Sequence, residues 1–510
     1  MSPRSRILFA AFLAVLVASP PVVRAEEGKG LFGGAIGRLL RGGEEESARQ
    51  DAERPRIAAA ETQRVPESRQ EVTLSFAPVV RKVSESVVNV YAKQRQSQMR
   101  SPFEGDPFFE RFFGVPQRQR GKTSLGSGVV VDANGTILTN NHVIANMDEV
   151  RIAVADGREF DCDIVLKDEK SDLAVLKVKD AGSTRFKPIE VADSEGVEVG
   201  DLVLAIGNPF GVGQTVTMGI VSAVSRSLAG INDYGYFIQT DASINPGNSG
   251  GALVDVKGRL IGVNTMIYSR SGGSVGIGYA IPSNMTRVVL DSAAKGDRVE
   301  RPWLGASFQS VSSDIAESLG LDRPRGAMVT AVTEKSPAEK SGLKLGDVVL
   351  AVDGRPIDNP DGLGYRLDTI GVGKSAKITV LSRGKEREFG VTLIAPPETV
   401  PREEVEMPQQ SVLWGAKAAN LSPAVAQEIG IDMGGEGVVL VDVVPRSPAA
   451  ANGMRRGDVV REINGVAVKR TADLVEIVER RFRAWQFVVQ RGGHELVFER
   501  DGGFFRQYAR

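Results

Sequence analysis

One cysteine and two histidines in 510 residues set the first limits on what this chain can be. The lone Cys162 rules out an intramolecular disulfide framework and a multi-thiolate zinc site. It lies in Phe160-Asp-Cys-Asp-Ile-Val165, an alternating strand pattern with a carboxylate on either side. Negative neighbours disfavour the reactive thiolate, so Cys162 reads as a half-buried structural residue rather than a nucleophile. An excess of charge of either sign is missing as well: 63 Lys and Arg face 64 Asp and Glu, a net charge of −1. That balance offers no basic footprint for nucleic acid. No P-loop G-x-x-x-x-G-K-[ST] occurs, so no ATP-driven step is expected. Aromatic residues are sparse, at 6%.

Long hydrophobic runs are also lacking. Ile7 to Ala18 is apolar but spans only twelve residues, against the roughly 20 that a membrane-crossing helix needs. Arg4 and Arg6 precede it, and Val23 and Ala25 are the small residues of a cleavage site after Ala25. Residues 1–25 therefore read as a secretory signal, with an uncleaved anchor as the alternative. The mature chain is expected outside the cytoplasm, in the periplasm, with no stable membrane span.

What is abundant is glycine, 57 residues, in a chain with 42% apolar and 25% charged residues. That is a soluble globular composition, and the length points to about three domains. Residues 26–75, with the run Glu44-Glu-Glu46 and Phe32 as the sole aromatic, cannot bury enough apolar surface to order themselves and read as a tether. From Ser75 to Lys295 short strands such as Val87–Val90, Gly128–Val131 and Leu260–Val263 alternate with Gly, Asn and Asp turns. This argues for an all-β barrel or sandwich domain over residues 76–296.

The rest is an internal repeat. Pro337, Gly342, Asp347 and Gly354 return at Pro448, Gly453, Asp458 and Gly465, an offset of 111 throughout. Such a period means two copies of one domain, residues 297–396 and 410–510. The Pro- and Glu-rich stretch between them, residues 397–409, reads as a stiff, solvated linker.

Three segments carry chemistry. Asn245-Pro-Gly-Asn-Ser-Gly-Gly-Ala252 places Ser249 among glycines, which permit a tight turn and an exposed hydroxyl. The backbone N–H groups of Gly247 and Ser249 are candidates for holding an oxyanion. His142 ends a strand pattern in Ile137-Leu-Thr-Asn-Asn-His-Val-Ile144, and Asp172 opens one in Lys170-Ser-Asp-Leu-Ala-Val-Leu-Lys177. Singly, these read as a turn serine, a core histidine and a turn aspartate. His494, in Arg491-Gly-Gly-His, reads as an exposed hairpin residue. Together, the order His142, Asp172, Ser249 is that of a chymotrypsin-like triad.

These three blocks closely resemble those of the HtrA (DegP/DegQ-like) serine proteases, T-N-x-H-V, S-D-L-A-V and G-N-S-G-G. The resemblance continues through Ala205–Phe210, Val216–Ser222, Gln239–Ala242 and Gly276–Pro282, and covers about residues 76–510. It implies a mainly β protein: a chymotrypsin-like double β-barrel followed by two small α+β PDZ domains. It also implies an ATP-independent serine endopeptidase acting on misfolded or unfolded exported polypeptides, with chaperone activity when cleavage is slow. Ser249 would attack, His142 would move the proton and Asp172 would orient His142. Ile244 and Ile277 fall where the family shapes its specificity pocket, so cleavage after small aliphatic residues is expected. No metal and no cofactor is implied.

In the first repeat Trp303-Leu304-Gly305-Ala306 falls at the family's carboxylate-binding loop, so peptide C-termini are expected partners there. The second has Leu413-Trp-Gly-Ala416, whose Trp leaves assembly or spacing as the alternative role. The insertion Ala92–Thr123 carries Phe103, Phe108, Phe109, Phe112 and Phe113, an apolar set that must dock. An intramolecular cap would serve. By resemblance the loop instead reaches a neighbouring subunit, giving a homo-trimer or higher assembly, and Ser225–Tyr236 matches the sensor loop. A scaffold with an idle cleft is the competing function, and the filled triad argues against it. A lipase-like hydrolase fails on residue order and on the missing G-x-S-x-G elbow.

Overall fold

In Val87-Val-Asn-Val-Tyr-Ala-Lys93, β-branched and polar residues alternate. In the computed structural model, Val88, Val90 and Ala92 are buried while Tyr91 and Lys93 face out. The structure describes residues 75–93, 123–207, 214–226, 236–245, 247–267, 273–296, 298–431, 437–480, 482–501 and 504–509. The expected signal and all but the last residue of the tether lie outside them. So do the five phenylalanines of the 92–123 insertion and most of the sensor loop, residues 227–235.

Strands β1 (Val87–Lys93), β2 (Thr123–Val130), β3 (Thr136–Asn140), β4 (Glu149–Ala153), β5 (Glu159–Asp168) and β6 (Leu173–Val178) close into a barrel in the order β1-β2-β3-β6-β5-β4. Val90, Ile137, Ile152 and Leu176 fill it. A second barrel runs β10-β11-β12-β9-β8-β7, from β7 (Leu202–Gly207), β8 (Thr215–Arg226), β9 (Phe237–Thr240), β10 (Ala252–Val254), β11 (Leu260–Ile267) and β12 (Gly278–Pro282). Its core includes Val203, Val221, Leu253 and Ile261. Full closure leaves neither sheet with an exposed edge.

Two apolar seams join the barrels. In one, Val87 and Val129 meet Leu204, Ile206 and Val254, together with Val79 and Val83 of helix α1 (Ala77–Ser84). Strands were expected from Ser75 onward; this helix is two turns long, too short for its i, i+4 valine pair to register as a period. In the other seam, Leu138, Leu173 and Val175 meet Val263, Tyr279 and the helix α3 (Ser283–Ala293), which follows α2 (Asn141–Ile144) in the chain.

The first repeat forms the sheet β13-β14-β15-β17-β18, from β13 (Ala306–Ser310), β14 (Ala327–Val332), β15 (Val348–Val352), β17 (Ser375–Ser382) and β18 (Lys385–Thr392), with β16 (Arg355–Pro356) beside β15. Helices α4 (Ser313–Leu319), α5 (Pro337–Ser341) and α6 (Pro360–Ile370) accompany it. Tyr365 of α6 is 1% exposed, stacked 3.8 Å from Tyr236 and packed into the second seam between the barrels. Arg301 lies beside Asp168 at 2.5 Å and Asp368 at 3.3 Å, all three buried or nearly so.

The second repeat has the order β19-β20-β21-β22-β24-β25-β26. Its strands are β19 (Val405–Glu406), β20 (Ala416–Asn420), β21 (Val438–Val443), β22 (Val459–Ile463), β24 (Ala484–Arg491), β25 (His494–Asp501) and β26 (Phe504–Ala509), with β23 (Val466–Ala467) beside β22. Helices α7 (Pro423–Ile429), α8 (Pro448–Ala451) and α9 (Thr471–Glu479) complete it. Part of the stretch read as a solvated linker is thus a strand of this sheet. Its Val405 and Met407 are apolar two residues apart, so one face of the segment has a core to bury against.

Candidate active site

The site forms where the ends of β3 and β6 in the first barrel meet the loop before β10 in the second. His142 sits in the single turn α2, immediately after β3. Asp172 immediately precedes β6 with a left-handed backbone, φ +56, a conformation Asp tolerates better than most residues. Its carbonyl is fixed by the Asn141 N–H and the Asn140 side-chain amide, both at 3.0 Å.

The Asp172 carboxylate is fully engaged. Oδ1 accepts the His142 backbone N–H at 2.9 Å, and Oδ2 lies 2.7 Å from His142 Nδ1. A carboxylate only accepts, so Nδ1 carries the hydrogen and Nε2 is left with the lone pair of a general base. Burial pulls the proton affinity of His142 down, but the charge and hydrogen bond of Asp172 outweigh it, and the net direction is up.

A third donor reaches Asp172 that no sequence motif flagged. Thr265 Oγ1 donates to Oδ2 at 2.7 Å, and the Thr265 carbonyl accepts the Ser249 hydroxyl at 3.0 Å. Thr265 is the extra residue of a β-bulge: Asn264 pairs with Ala280 and Met266 with Tyr279. A bulged residue is released from the ladder and re-aimed, which is why one residue serves both candidate catalytic side chains. A continuous hydrogen-bonded chain thus runs His142, Asp172, Thr265, Ser249. In this arrangement the Ser249 hydroxyl hydrogen is held by Thr265 and would have to turn toward Nε2 for His142 to accept it.

The loop that carries Ser249 is folded against β2. Ser127 donates its backbone N–H to the Ser249 carbonyl at 2.8 Å and its hydroxyl to the Gly247 carbonyl at 2.6 Å. Thr139 Oγ1 in turn donates to the Ser127 carbonyl at 2.7 Å. Gly250 has φ +82, and a Cβ there would lie 2.1 Å from the Ser127 carbonyl oxygen, so only glycine fits. The Asn248 carbonyl accepts the Gly251 N–H at 2.9 Å. In a trans peptide the Ser249 N–H then points the opposite way. The peptide that carries the Gly247 N–H begins at Pro246, outside the described residues.

Ile244 is 1% exposed and lies against Gly278, whose neighbour Ile277 is half-buried. Cys162 is 6% exposed on β5, its thiol pushed up to about 12 by burial and then by Asp161. His494 is exposed at the β24–β25 hairpin. In the first repeat the Trp303 N–H donates to the Ile394 carbonyl at 2.8 Å, Leu304 is buried, Gly305 has φ +78 and Ala306 opens β13.

The trypsin-like peptidase domain family matches residues 126–263, and PDZ domain families match residues 302–393 and 439–483. A probable periplasmic serine endoprotease DegP-like of Ectopseudomonas mendocina (strain ymp) is 38% identical over 428 residues, covering 79% of this chain and 88% of the relative. One of the same description from Brucella suis biovar 1 (strain 1330) is 38% identical over 432 residues, 78% of this chain and 83% of that one. Among solved structures, an HtrA-type protease AlgW with decapeptide is 39% identical, with a TM-score of 0.48, covering 64% of this chain and 99% of that one.

Proposed function

The chain belongs to the DegP-like family of periplasmic serine endoproteases, and on that premise we propose that it cleaves unfolded or misfolded exported polypeptides without ATP, through His142, Asp172 and Ser249. The observation that carries the assignment is the two-point grip of Asp172 on His142, at 2.7 Å to Nδ1 and 2.9 Å to the backbone N–H. It fixes the tautomer that leaves Nε2 basic.

The chemistry runs in two displacements. Ser249 Oγ attacks the peptide carbonyl while Nε2 takes its proton, and the oxyanion is held by the N–H groups of Gly247 and Ser249. The intermediate collapses when His142 gives the proton to the leaving amine. Water then repeats the sequence on the acyl-enzyme, releasing the second product and restoring Ser249. Ile244 and Ile277 line the specificity pocket and favour small aliphatic residues before the scissile bond, since neither offers a charge to a basic side chain. The loop Trp303–Ala306 and β13 take substrate C-termini on the first PDZ domain. Chains held but not cut are kept from aggregating, which is the chaperone role. The protein acts in the periplasm after removal of residues 1–25, as a trimer or larger assembly joined through the phenylalanine-rich insertion.

Wild type and Ser249→Ala are compared for digestion of casein in the absence of ATP, followed by sequencing of the product ends. Cleavage by wild type alone, after Val, Ala or Ile, is expected. If neither protein cuts, even with added peptides bearing free carboxylates, the scaffold reading replaces this one.

A further inference from the structure

The two PDZ domains differ at the edge where a peptide would add. In the first, β13 is the end of its sheet among the described residues and pairs on one side with β14. In the second, the corresponding β20 pairs with β21 on one side and with β19 on the other, Val405 opposite Ala418 and Glu406 opposite Lys417. The two strands correspond because each follows a glycine of positive φ, Gly305 or Gly415, packed against a helix-capping serine, Ser336 or Ser447.

We propose that residues 402–407 are an intramolecular ligand of the second PDZ domain, lying in the groove between β20 and α9 that a peptide C-terminus would otherwise enter. Met407 is at the terminal position. Its N–H donates at 2.9 Å to the carbonyl of Ala416, the residue that ends the loop Leu413–Ala416 and begins β20. Its side chain is 4% exposed, in the core with Leu413, Leu474 and Ile477. Val405, two residues earlier and on the same face, packs against the same core as Val475 of α9.

Further back, the Asn420 N–H donates to the Arg402 carbonyl at 2.8 Å. The Asn420 side chain donates to the Pro401 carbonyl at 2.8 Å and accepts the Thr471 N–H of α9 at 2.8 Å, so it ties the segment to both walls. The first domain has Ser310 at that place. Glu404 pairs with Lys417 of β20, and Arg402 reaches Glu398 and Glu428.

The loop itself is committed. Past Met407 the chain continues through Pro408 into a turn, where the Trp414 N–H donates to the Ser411 carbonyl at 3.1 Å and the Ala416 N–H to the Leu413 carbonyl at 3.0 Å. Amides so bonded do not cradle a free carboxylate. A tethered strand also competes at an effective concentration on the order of millimolar. The second domain is therefore closed to chain ends unless its own strand leaves, whatever the catalytic serine does.

The test uses the full-length chain and a synthetic peptide of residues 400–407, Val-Pro-Arg-Glu-Glu-Val-Glu-Met, ending in an amide in place of the onward chain. Hydrogen exchange is followed over residues 416–420 and 306–310. In wild type, 416–420 should exchange at least about tenfold more slowly than 306–310, and added peptide should leave 416–420 unchanged. In the double variant Val405→Ser, Met407→Ser, exchange at 416–420 should speed up about tenfold while β24 keeps its protection, and peptide should restore slow exchange there. Equal exchange of the two edges in wild type overturns the proposal even if the variant does not fold. So does a folded variant whose 416–420 segment ignores the peptide. Casein cleavage by the same preparations reads the triad separately, so the two assignments fail independently.

Discussion

Replacing Thr265 by valine removes one hydroxyl from a residue that is 1% exposed and keeps its branched shape and backbone. The carbonyl that accepts the Ser249 hydroxyl stays in place, so the perturbation falls on Asp172 alone. Asp172 Oδ2 then keeps His142 Nδ1 but loses its 2.7 Å bond from Thr265. A hydrogen bond to a charged group is worth about 1.5–3 kcal/mol. At about 1.4 kcal/mol per decade, losing the bond that holds the carboxylate in line with His142 lowers kcat/KM by about 10- to 150-fold. The drop should appear in kcat with KM nearly unchanged, since the hydroxyl is spent on Asp172. The assay is kcat and KM on a quenched fluorescent unfolded substrate between pH 5 and 9, with thermal melting as the folding control. A loss under about threefold in a variant that melts like wild type would refute the reasoning.

Three further outcomes follow from the same geometry. Ser127→Ala deletes the 2.6 Å donor to the Gly247 carbonyl; leaving that group unpaired costs about 1–3 kcal/mol, and kcat should fall about tenfold or more with little change in KM, measured on the same substrate. Folded His142 binds its proton more tightly than the ordinary value of 6.5, so the stabilisation it contributes is complete below 6.5 and lost as pH rises through the raised value. Accordingly the acid limb of kcat/KM should lie above 6.5 in wild type, and the melting advantage of wild type over Asp172→Asn should shrink as pH rises. Burial pushes the Asp368 carboxyl well above its ordinary 3.8, with Asp168 adding to the rise and Lys170 opposing it. Protonation therefore favours the folded state even with Arg301 3.3 Å away, because Arg301 keeps its closer partner Asp168 at 2.5 Å, and Asp368→Asn should melt higher than wild type near pH 8, the gain fading as pH falls toward 4.

The strand-rich protease region, the duplicated domain and the placing of His142 beside Asp172 were legible because each rests on a local pattern: alternation, an exact offset, a motif at a strand end. Thr265 and Ser127 were not. Thr265 matters because a bulge shifts β11 against β12 by one residue, and no alternation in Leu260–Ile267 announces that shift. Ser127 lies in Thr123–Val130, where a serine between glycines reads as an ordinary turn or strand residue; the carbonyl its hydroxyl meets is 120 residues away. Helix α1 and strand β19 escaped for the complementary reason. Their apolar pairs, Val79 with Val83 and Val405 with Met407, are too few to form a period and gain meaning only from the surface they meet.

Those two missed residues explain how a site split between two barrels holds its geometry. Ser127 belongs to the first barrel and fixes the loop that carries Ser249 on the second. Thr265 belongs to the second barrel and fixes Asp172 on the first. Each barrel thus holds the other's candidate catalytic residue, and a shift between them would loosen both grips together. The seams that set their relative position are therefore part of the catalytic geometry. One is sealed by Val79 and Val83 of α1, the other by Tyr365 from the first PDZ domain. That tyrosine, stacked on Tyr236 just before β9, makes the seating of the PDZ domain a condition on the seam. The second PDZ domain, its groove filled by its own linker strand, contributes no such contact to either seam among the described residues.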